Sequence, residues 1–135
     1  MNNTGSAGNN HKTILLVDDE TSWLEAMTDA LSQESYEVIS ADSGEAALQK
    51  LGSMRPDLIL SDVRMPVMNG FDLYELVKKD PRLNSIPYVF MSSIDDFDAK
   101  HVAKELGVDD YVVKPFDSED AKTIVYELLQ RFKSK

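Results

Sequence analysis

Short apolar runs alternate with amphipathic stretches along the chain, and most of the apolar runs end abruptly in polar residues. The runs predict five β-strands at residues 13–17, 36–40, 58–60, 88–91 and 110–113. After each run, apolar residues recur at the spacing of a helix face, which predicts five helices beginning near residues 22, 44, 70, 95 and 117. Parallel strands need crossover connections of this length, so the pattern predicts an α/β protein with helices on both sides of a doubly wound sheet.

Capping and turn-forming residues mark where the predicted helices begin and end. Ser43, followed by an acid two positions later, is typical of a helix N-terminus. Gly52 and Gly107 each follow a helical stretch and are expected to end it, and Pro81 stops the third helix. For the third and fourth helices, the spacing predicts buried sides made of Phe71, Tyr74 and Val77, and of Ala99, Val102, Ala103 and Leu106.

Composition and charge narrow the class of protein. The chain has 135 residues, of which 42% are hydrophobic, enough for the core of one domain. Residues 1–11 are almost free of apolar side chains, so we expect a disordered N-terminal tail followed by a single domain at residues 12–133. A formal net charge of −10 argues against nucleic-acid binding, which needs clustered cations. The sequence has no run of transmembrane length, no apolar signal region and no cysteine, so we expect a cytoplasmic protein without disulfides.

Polar side chains follow four of the predicted strands at the point where each strand ends. Asp18 and Asp19 follow the first strand, Asp62 the third, Ser92 the fourth and Lys114 the fifth. Ligands bind just outside the carboxyl ends of strands in a doubly wound sheet, so these groups are candidates for one site. Asp62 by itself would more often be a turn-forming residue, but three carboxylates that lie close together need a cation to remain ionised. Mg²⁺ prefers such ligands, and together with Lys114 it would favour attack of Asp62 on a phosphoryl group.

Taken together, these segments resemble the response-regulator receiver domains of two-component signalling. The resemblance covers residues 12–132, nearly all of the predicted domain. It implies a flavodoxin-like fold with five helices and the strand order 2-1-3-4-5. The segments that carry it are residues 14–20, 62–70, 92–93 and 110–116, which read ILLVDDE, DVRMPVMNG, SS and DYVVKPF.

The resemblance implies a magnesium-dependent phosphoacceptor site. Asp62 looks like the phosphoacceptor, Asp19 like a direct Mg²⁺ ligand and Asp18 like a ligand that acts through water. Asp62 itself and the backbone carbonyl of Arg64 would complete the protein ligands of the ion. The resemblance implies Mg²⁺ as the cofactor and no other.

The same resemblance implies a switch beside the phosphoacceptor. Ser92 looks like the switch hydroxyl, where many members have Thr, and Tyr111 looks like the switch aromatic. Lys114 looks like the lysine that binds the phosphoryl oxygens. In relatives the bond that corresponds to Lys114–Pro115 is cis, and both isomers stay open here. Aromatic residues in strands more often pack than switch, so core packing is the alternative role for Tyr111.

The function implied by the resemblance is that of a signalling domain rather than an enzyme, although one that promotes its own phosphorylation and dephosphorylation. The phosphoryl donor would be a sensor histidine kinase or a phosphotransfer protein. The face formed by the fourth helix, fifth strand and fifth helix would control a downstream protein, an attached output domain or a second receiver.

Two other functions are compatible with the predicted fold. One is a receiver-like interaction module that is never phosphorylated, although such modules usually lack one of the acids or the lysine. The other is a flavin-binding electron carrier, which needs a loop that holds phosphate after the first strand. We set the flavin carrier aside because Asp18, Asp19 and Glu20 would repel that phosphate.

Overall fold

The described part of the chain comprises residues 11–114 and 117–132 of a computed structural model. In chain order its elements are β1 (Thr13–Val17), α1 (Thr21–Ser32), β2 (Glu37–Ala41), α2 (Gly44–Leu51), β3 (Leu58–Asp62), α3 (Gly70–Lys79), β4 (Tyr88–Ser93), α4 (Phe97–Leu106), β5 (Asp110–Lys114) and α5 (Ser118–Phe132). Residues 1–10 of the predicted tail at residues 1–11 lie outside the described residues, as does the bond between Lys114 and Pro115.

The strands form one sheet in the order β2-β1-β3-β4-β5, and every neighbouring pair is parallel. The predicted fold class, the number of helices and the strand order 2-1-3-4-5 are therefore confirmed. None of the helices within the described ranges combines the length and the apolar character needed to cross a membrane.

Each face of the sheet is covered by its own set of helices. On one side α2, α3 and α4 pack on strand residues such as Leu15 and Ile59. On the other side α1 and α5 pack on the alternate residues, among them Leu16 and Leu60. The strands β1 and β3 are buried on both faces, which explains their continuous apolar sequences. Strand β2 lies at an edge and is mostly half-buried, as the mixed sequence of residues 36–40 predicts.

The predicted capping residues are found at the helix ends. The Ser43 side chain accepts a hydrogen bond of 3.0 Å from the backbone N–H of Ala46 and so caps α2. Gly107 ends α4 with φ at 70°, in the left-handed region that favours glycine. Gly52 follows α2 with φ at −68°, so this helix ends without a left-handed residue. The helix bounds therefore agree closely with the signals in the sequence.

The buried sides of α3 and α4 differ in part from the prediction. In α3, Leu73 is fully buried, although the prediction did not include it. In α4, the prediction that Val102 is buried is wrong, since Val102 is 37% exposed. Helix α4 contacts the core through Ala99, Ala103 and the partly buried Leu106, and Val102 lies outside this contact. The helix also begins later than predicted, because Asp96 accepts the N–H of Ala99 and caps it.

Candidate functional site

Three carboxylates meet at the carboxyl edge of the sheet. Asp18 and Asp19 follow β1 and Asp62 ends β3, and the pairing of Val17 with Ser61 brings these two strand ends side by side. One carboxylate oxygen from each acid lies within 4.8 Å of the others. Asp18 is fully buried, and the Asp62 side chain is only 12% exposed. The structure thus brings together the three acids that the sequence analysis selected.

Lys114 places a positive charge inside this acidic cluster. Its Nζ lies 2.8 Å from Asp18 Oδ2 and 3.8 Å from Asp62 Oδ1. Burial disfavours the charged lysine, but the hydrogen bond to Asp18 and the charges of Asp62 and Asp18 outweigh burial, so the pKa of Lys114 is raised. The ammonium also lies 4.8 Å from the ring centroid of Trp23, a contact that the sequence did not predict.

The acidic cluster makes ionisation of Asp62 unfavourable. Burial, and then the neighbouring charge of Asp18, raise the pKa of Asp62 to about 7, although Lys114 opposes the shift. A divalent cation would favour the ionised carboxylate and lower this cost. The donor set fits Mg²⁺, which takes hard carboxylate oxygens.

The oxygens of Asp18 and Asp19 are not equally available to an ion. One oxygen of Asp18 accepts from Lys114, and the other accepts the backbone N–H of Glu20 at 3.0 Å. Asp19 is exposed at the edge of the site. Because both oxygens of Asp18 already have partners, Asp19 and Asp62 are better placed to contact an ion directly.

Ser92 also lies at the carboxyl edge of the sheet, but its hydroxyl donates to a residue outside the acidic cluster. It is 2% exposed near the end of β4, and its Oγ donates to Asp96 Oδ2 at 3.3 Å. Asp96 also accepts two hydrogen bonds from the guanidinium of Arg64, at 2.8 and 2.7 Å. These hydrogen bonds from Arg64 lower the pKa of Asp96 to about 2.

Asp96 is the site residue that sequence reasoning missed. Its only signal in the sequence is that of an acid before a helix, which is typical of an N-cap. The contact with Arg64 joins residues that are 32 positions apart and lie in different loops. No local pattern could have indicated this pairing. The sequence analysis named the backbone carbonyl of Arg64 as a ligand of Mg²⁺. The structure adds that the side chain of Arg64 contacts Asp96.

Tyr111 lies on β5 beside Phe90 of β4 and packs against the core on the α4 side of the sheet. Its ring is half-buried, in agreement with a packing role. Its hydroxyl, however, is enclosed and has no hydrogen-bond partner among the described residues. A buried hydroxyl without a partner is unfavourable, so this position of the ring is not stabilised by its polar end.

The loop after β3 is held tightly against the site by Gly70. The Gly70 N–H donates to the Val63 carbonyl, and its own carbonyl accepts the buried hydroxyl of Tyr88, each at 2.9 Å. A Cβ atom at position 70 would lie 2.3 Å from the backbone oxygen of Asp62. The absence of a side chain here therefore allows the loop to approach the backbone of the acid.

Comparisons with known proteins agree with this geometry. The family described as the response regulator receiver domain matches residues 14–126. A probable transcriptional regulator, ycf27 of Cyanophora paradoxa, is 36% identical over 122 residues, which cover 90% of this chain and 50% of that protein. The alkaline phosphatase synthesis transcriptional regulatory protein PhoP of Bacillus subtilis is 34% identical over 121 residues, with coverage of 90% and 50%.

A solved structure shows the same fold. The chemotaxis response regulator CheY4 of Vibrio cholerae superposes with a TM-score of 0.78 at 32% identity, covering 91% of this chain and 99% of that chain. The chain therefore belongs to the response regulator receiver domain family. A receiver domain of this family is a phosphorylation-dependent signalling switch of two-component systems, and such domains generally use Mg²⁺ at their acidic pocket. The chain spans about half the length of the curated relatives described above.

Proposed function

We propose that Asp62 accepts a phosphoryl group from a sensor histidine kinase or a phosphotransfer protein. A carboxylate oxygen of Asp62 attacks phosphorus, a new P–O bond forms, and the bond from phosphorus to the donor histidine nitrogen breaks with its electron pair on nitrogen. The observation that supports Asp62 most directly is its place in the acidic cluster, 3.8 Å from the ammonium of Lys114. That cation balances charge on the phosphoryl oxygens.

Mg²⁺ would be held by Asp19 and Asp62 directly, by Asp18 through water and by the backbone carbonyl of Arg64. The two hydrogen bonds already made by the Asp18 oxygens support its indirect role. When bound, the ion supplies positive charge that neutralises the oxygens of the incoming phosphoryl group. Lys114, at 2.8 Å from Asp18, is close enough to exchange that partner for a phosphoryl oxygen.

The output would pass through Ser92 and Tyr111. In the phosphorylated state the Ser92 hydroxyl donates to a phosphoryl oxygen on Asp62, and the Tyr111 ring changes position on β5. The unpaired hydroxyl of Tyr111 supports this role, because a change of position that gave it a partner would gain a hydrogen bond. Phosphorylation then shifts the population between two states that already exist.

The surface formed by α4, β5 and α5 would carry the signal to a partner. Two of its elements expose large apolar side chains, namely Phe97 (74%) and Val102 (37%) in α4 and Val113 (39%) in β5. We propose that a downstream protein, an attached output domain or a second receiver binds here. The two curated relatives described above carry the names of transcriptional regulators and are about twice as long, which supports control of an output domain. Hydrolysis of the phosphorylated Asp62, promoted by the domain itself, would end the signal.

Acetyl phosphate with Mg²⁺ is expected to add one phosphoryl group to the chain, visible by mass spectrometry. The label should be absent from Asp62→Asn and should disappear when EDTA removes Mg²⁺. Asp42→Asn is the matched control, because Asp42 is an exposed acid just beyond β2 at the same edge of the sheet. Labelling of Asp62→Asn at the level of the wild type would refute the assignment, and an unlabelled wild type would favour the interaction module.

Loss of Asp19 should weaken Mg²⁺ binding more than loss of Asp18. We expect Asp19→Ala to bind on the order of tenfold more weakly than Asp18→Ala, a difference of about 1.4 kcal/mol. The reason is that Asp19 would bind Mg²⁺ directly, whereas Asp18 would bind it through a water molecule. Isothermal titration calorimetry can follow the titration, because it does not depend on the contact between Lys114 and Trp23.

Lys114→Ala is the control for this comparison, because it removes a competing cation and should leave Mg²⁺ binding unchanged or tighter. Equal affinities of the two aspartate variants would contradict the division of roles.

A further inference from the structure

The Ser92 hydroxyl has one proton to donate, and in this structure it donates that proton to Asp96. The same proton cannot be donated at the same time to a phosphoryl oxygen on Asp62. At 2% exposure Ser92 has little access to water as an alternative partner. The carboxylate of Asp96 therefore competes with the phosphoryl group for the switch hydroxyl.

Two further contacts hold Asp96 in position to compete. Its Oδ1 accepts the backbone N–H of Ala99 at 3.2 Å and so caps α4. Both of its oxygens accept from the Arg64 guanidinium, in a bidentate pair with distances of 2.8 and 2.7 Å. The Asp96 side chain is 13% exposed, whereas that of Arg64 is 63% exposed. The carboxylate is thus fixed whether or not Ser92 donates to it.

Arg64 links this acceptor to the phosphoacceptor strand, because it lies two residues after Asp62. The Arg64–Asp96 pair therefore joins the loop after β3 to the loop after β4, the two loops that flank the phosphoacceptor and the switch hydroxyl. The weakest contact in the set is that from Ser92, at 3.3 Å. When the hydroxyl leaves, Asp96 keeps its bonds to Arg64 and Ala99, so no buried charge is left unpaired.

We propose that Asp96, held by Arg64, is the resting-state acceptor of the Ser92 hydroxyl and that it sets how strongly the domain favours its inactive state. Asp96 is a positioning residue that acts through Ser92. This inference rests on the proposed function. Removing the competing acceptor shifts the population toward the state in which Ser92 contacts a phosphoryl oxygen.

The experiment is a titration with beryllofluoride, a phosphoryl mimic, in saturating Mg²⁺, followed by the fluorescence of Trp23. Asp96→Asn keeps an oxygen that can cap α4 but removes the charge that attracts Arg64 and the Ser92 proton. We expect this variant to bind the mimic about fivefold more tightly than the wild type, the effect of losing one modest hydrogen bond in the resting state.

Two comparisons separate this effect from a general change in charge. Asp98→Asn removes an acid of the same charge in the first turn of α4, outside the contacts of Asp96 with Arg64 and Ser92, and should bind within about twofold of the wild type. In a Ser92→Ala background, Asp96→Asn should no longer change the affinity, because there is no hydroxyl to release. If Asp96→Asn does not fold, Asp96→Ser, which also provides a cap, carries the same expectation.

Three results would overturn the inference. They are an Asp96→Asn affinity equal to or weaker than that of the wild type, an equal gain in Asp98→Asn, and a gain that persists in the Ser92→Ala background. Failure of the proposed function looks different. In that case the wild type itself does not bind the mimic, or Asp62→Asn binds it equally well.

Discussion

Gly70→Ala is expected to destabilise the domain by about 3 kcal/mol and to impair the acidic site at the same time. The added Cβ would lie 2.3 Å from the Asp62 backbone oxygen and 3.1 Å from both the Asp62 carbonyl carbon and the Val63 Cα. All three are backbone atoms, so no side chain can rotate to relieve the contact. Either the end of β3 or the loop after it must move, and both determine where the Asp62 carboxylate lies.

Urea denaturation should show the loss of stability, and a Mg²⁺ titration should show weakened binding in the fraction that remains folded. Gly52→Ala is the control, because its φ of −68° is accessible to alanine and the nearest atom to its new Cβ is 3.3 Å away. We expect that change to alter the free energy of unfolding by less than about 1 kcal/mol. Similar losses in both variants would show that Gly70 has no special role in seating the loop.

Asp62→Asn is expected to stabilise the metal-free domain at pH 8 by about 4 kcal/mol, and the gain should shrink as the pH falls. Burial and the charge of Asp18 raise the pKa of Asp62 from 3.8 to about 7. The folded state therefore holds a proton more tightly than the unfolded state does. Wild-type stability falls as the pH rises from about 4 to about 7, and the ionised side chain bears its full cost above pH 7.

Unfolding by urea in EDTA at pH 8, 6 and 4 measures this dependence. Below about pH 4 the carboxyl group is protonated in both states, so the two proteins should then differ little. Mg²⁺ at pH 8 should stabilise the wild type but not the asparagine variant, because the ion removes the repulsion that the mutation removes. The exposed Asp42→Asn should change the free energy of unfolding by less than about 0.5 kcal/mol at each pH. A gain for Asp62→Asn that is constant from pH 4 to 8 would contradict the electrostatic cause.

Together, Gly70→Ala and Asp62→Asn distinguish the effect of the shape of the acidic site from the effect of its charge. Gly70 acts through the space that its missing side chain leaves for the backbone of Asp62. Asp62→Asn changes the charge of the site and leaves its shape nearly unaltered. A site built to hold a cation against a phosphoryl group should lose function in both cases, but only the first change should also cost stability at pH 8.

The local pattern of residues was sufficient for the helices, the strands and the fold class. Continuous apolar runs predicted the buried strands because a strand covered on both faces has no solvent side. Ser43 and Gly107 predicted helix ends because capping depends on atoms only a few positions apart. The acids at the ends of the first and third strands could be placed together because the connection lengths predicted a parallel sheet and the resemblance implied its strand order.

Tertiary structure alone decided the details that control the switch. The pairing of Arg64 with Asp96 and the direction of the Ser92 hydroxyl depend on how the loops pack against the sheet. The burial of Leu73 in α3 and the exposure of Val102 in α4 depend on how each helix packs against the sheet. These contacts join residues far apart in the chain, and their free energies depend on distances of a few tenths of an ångström. Periodicity and capping carry no information about such distances, so the sequence determined the fold and the chemistry of the site, and three-dimensional packing determined which partner each group contacts at rest.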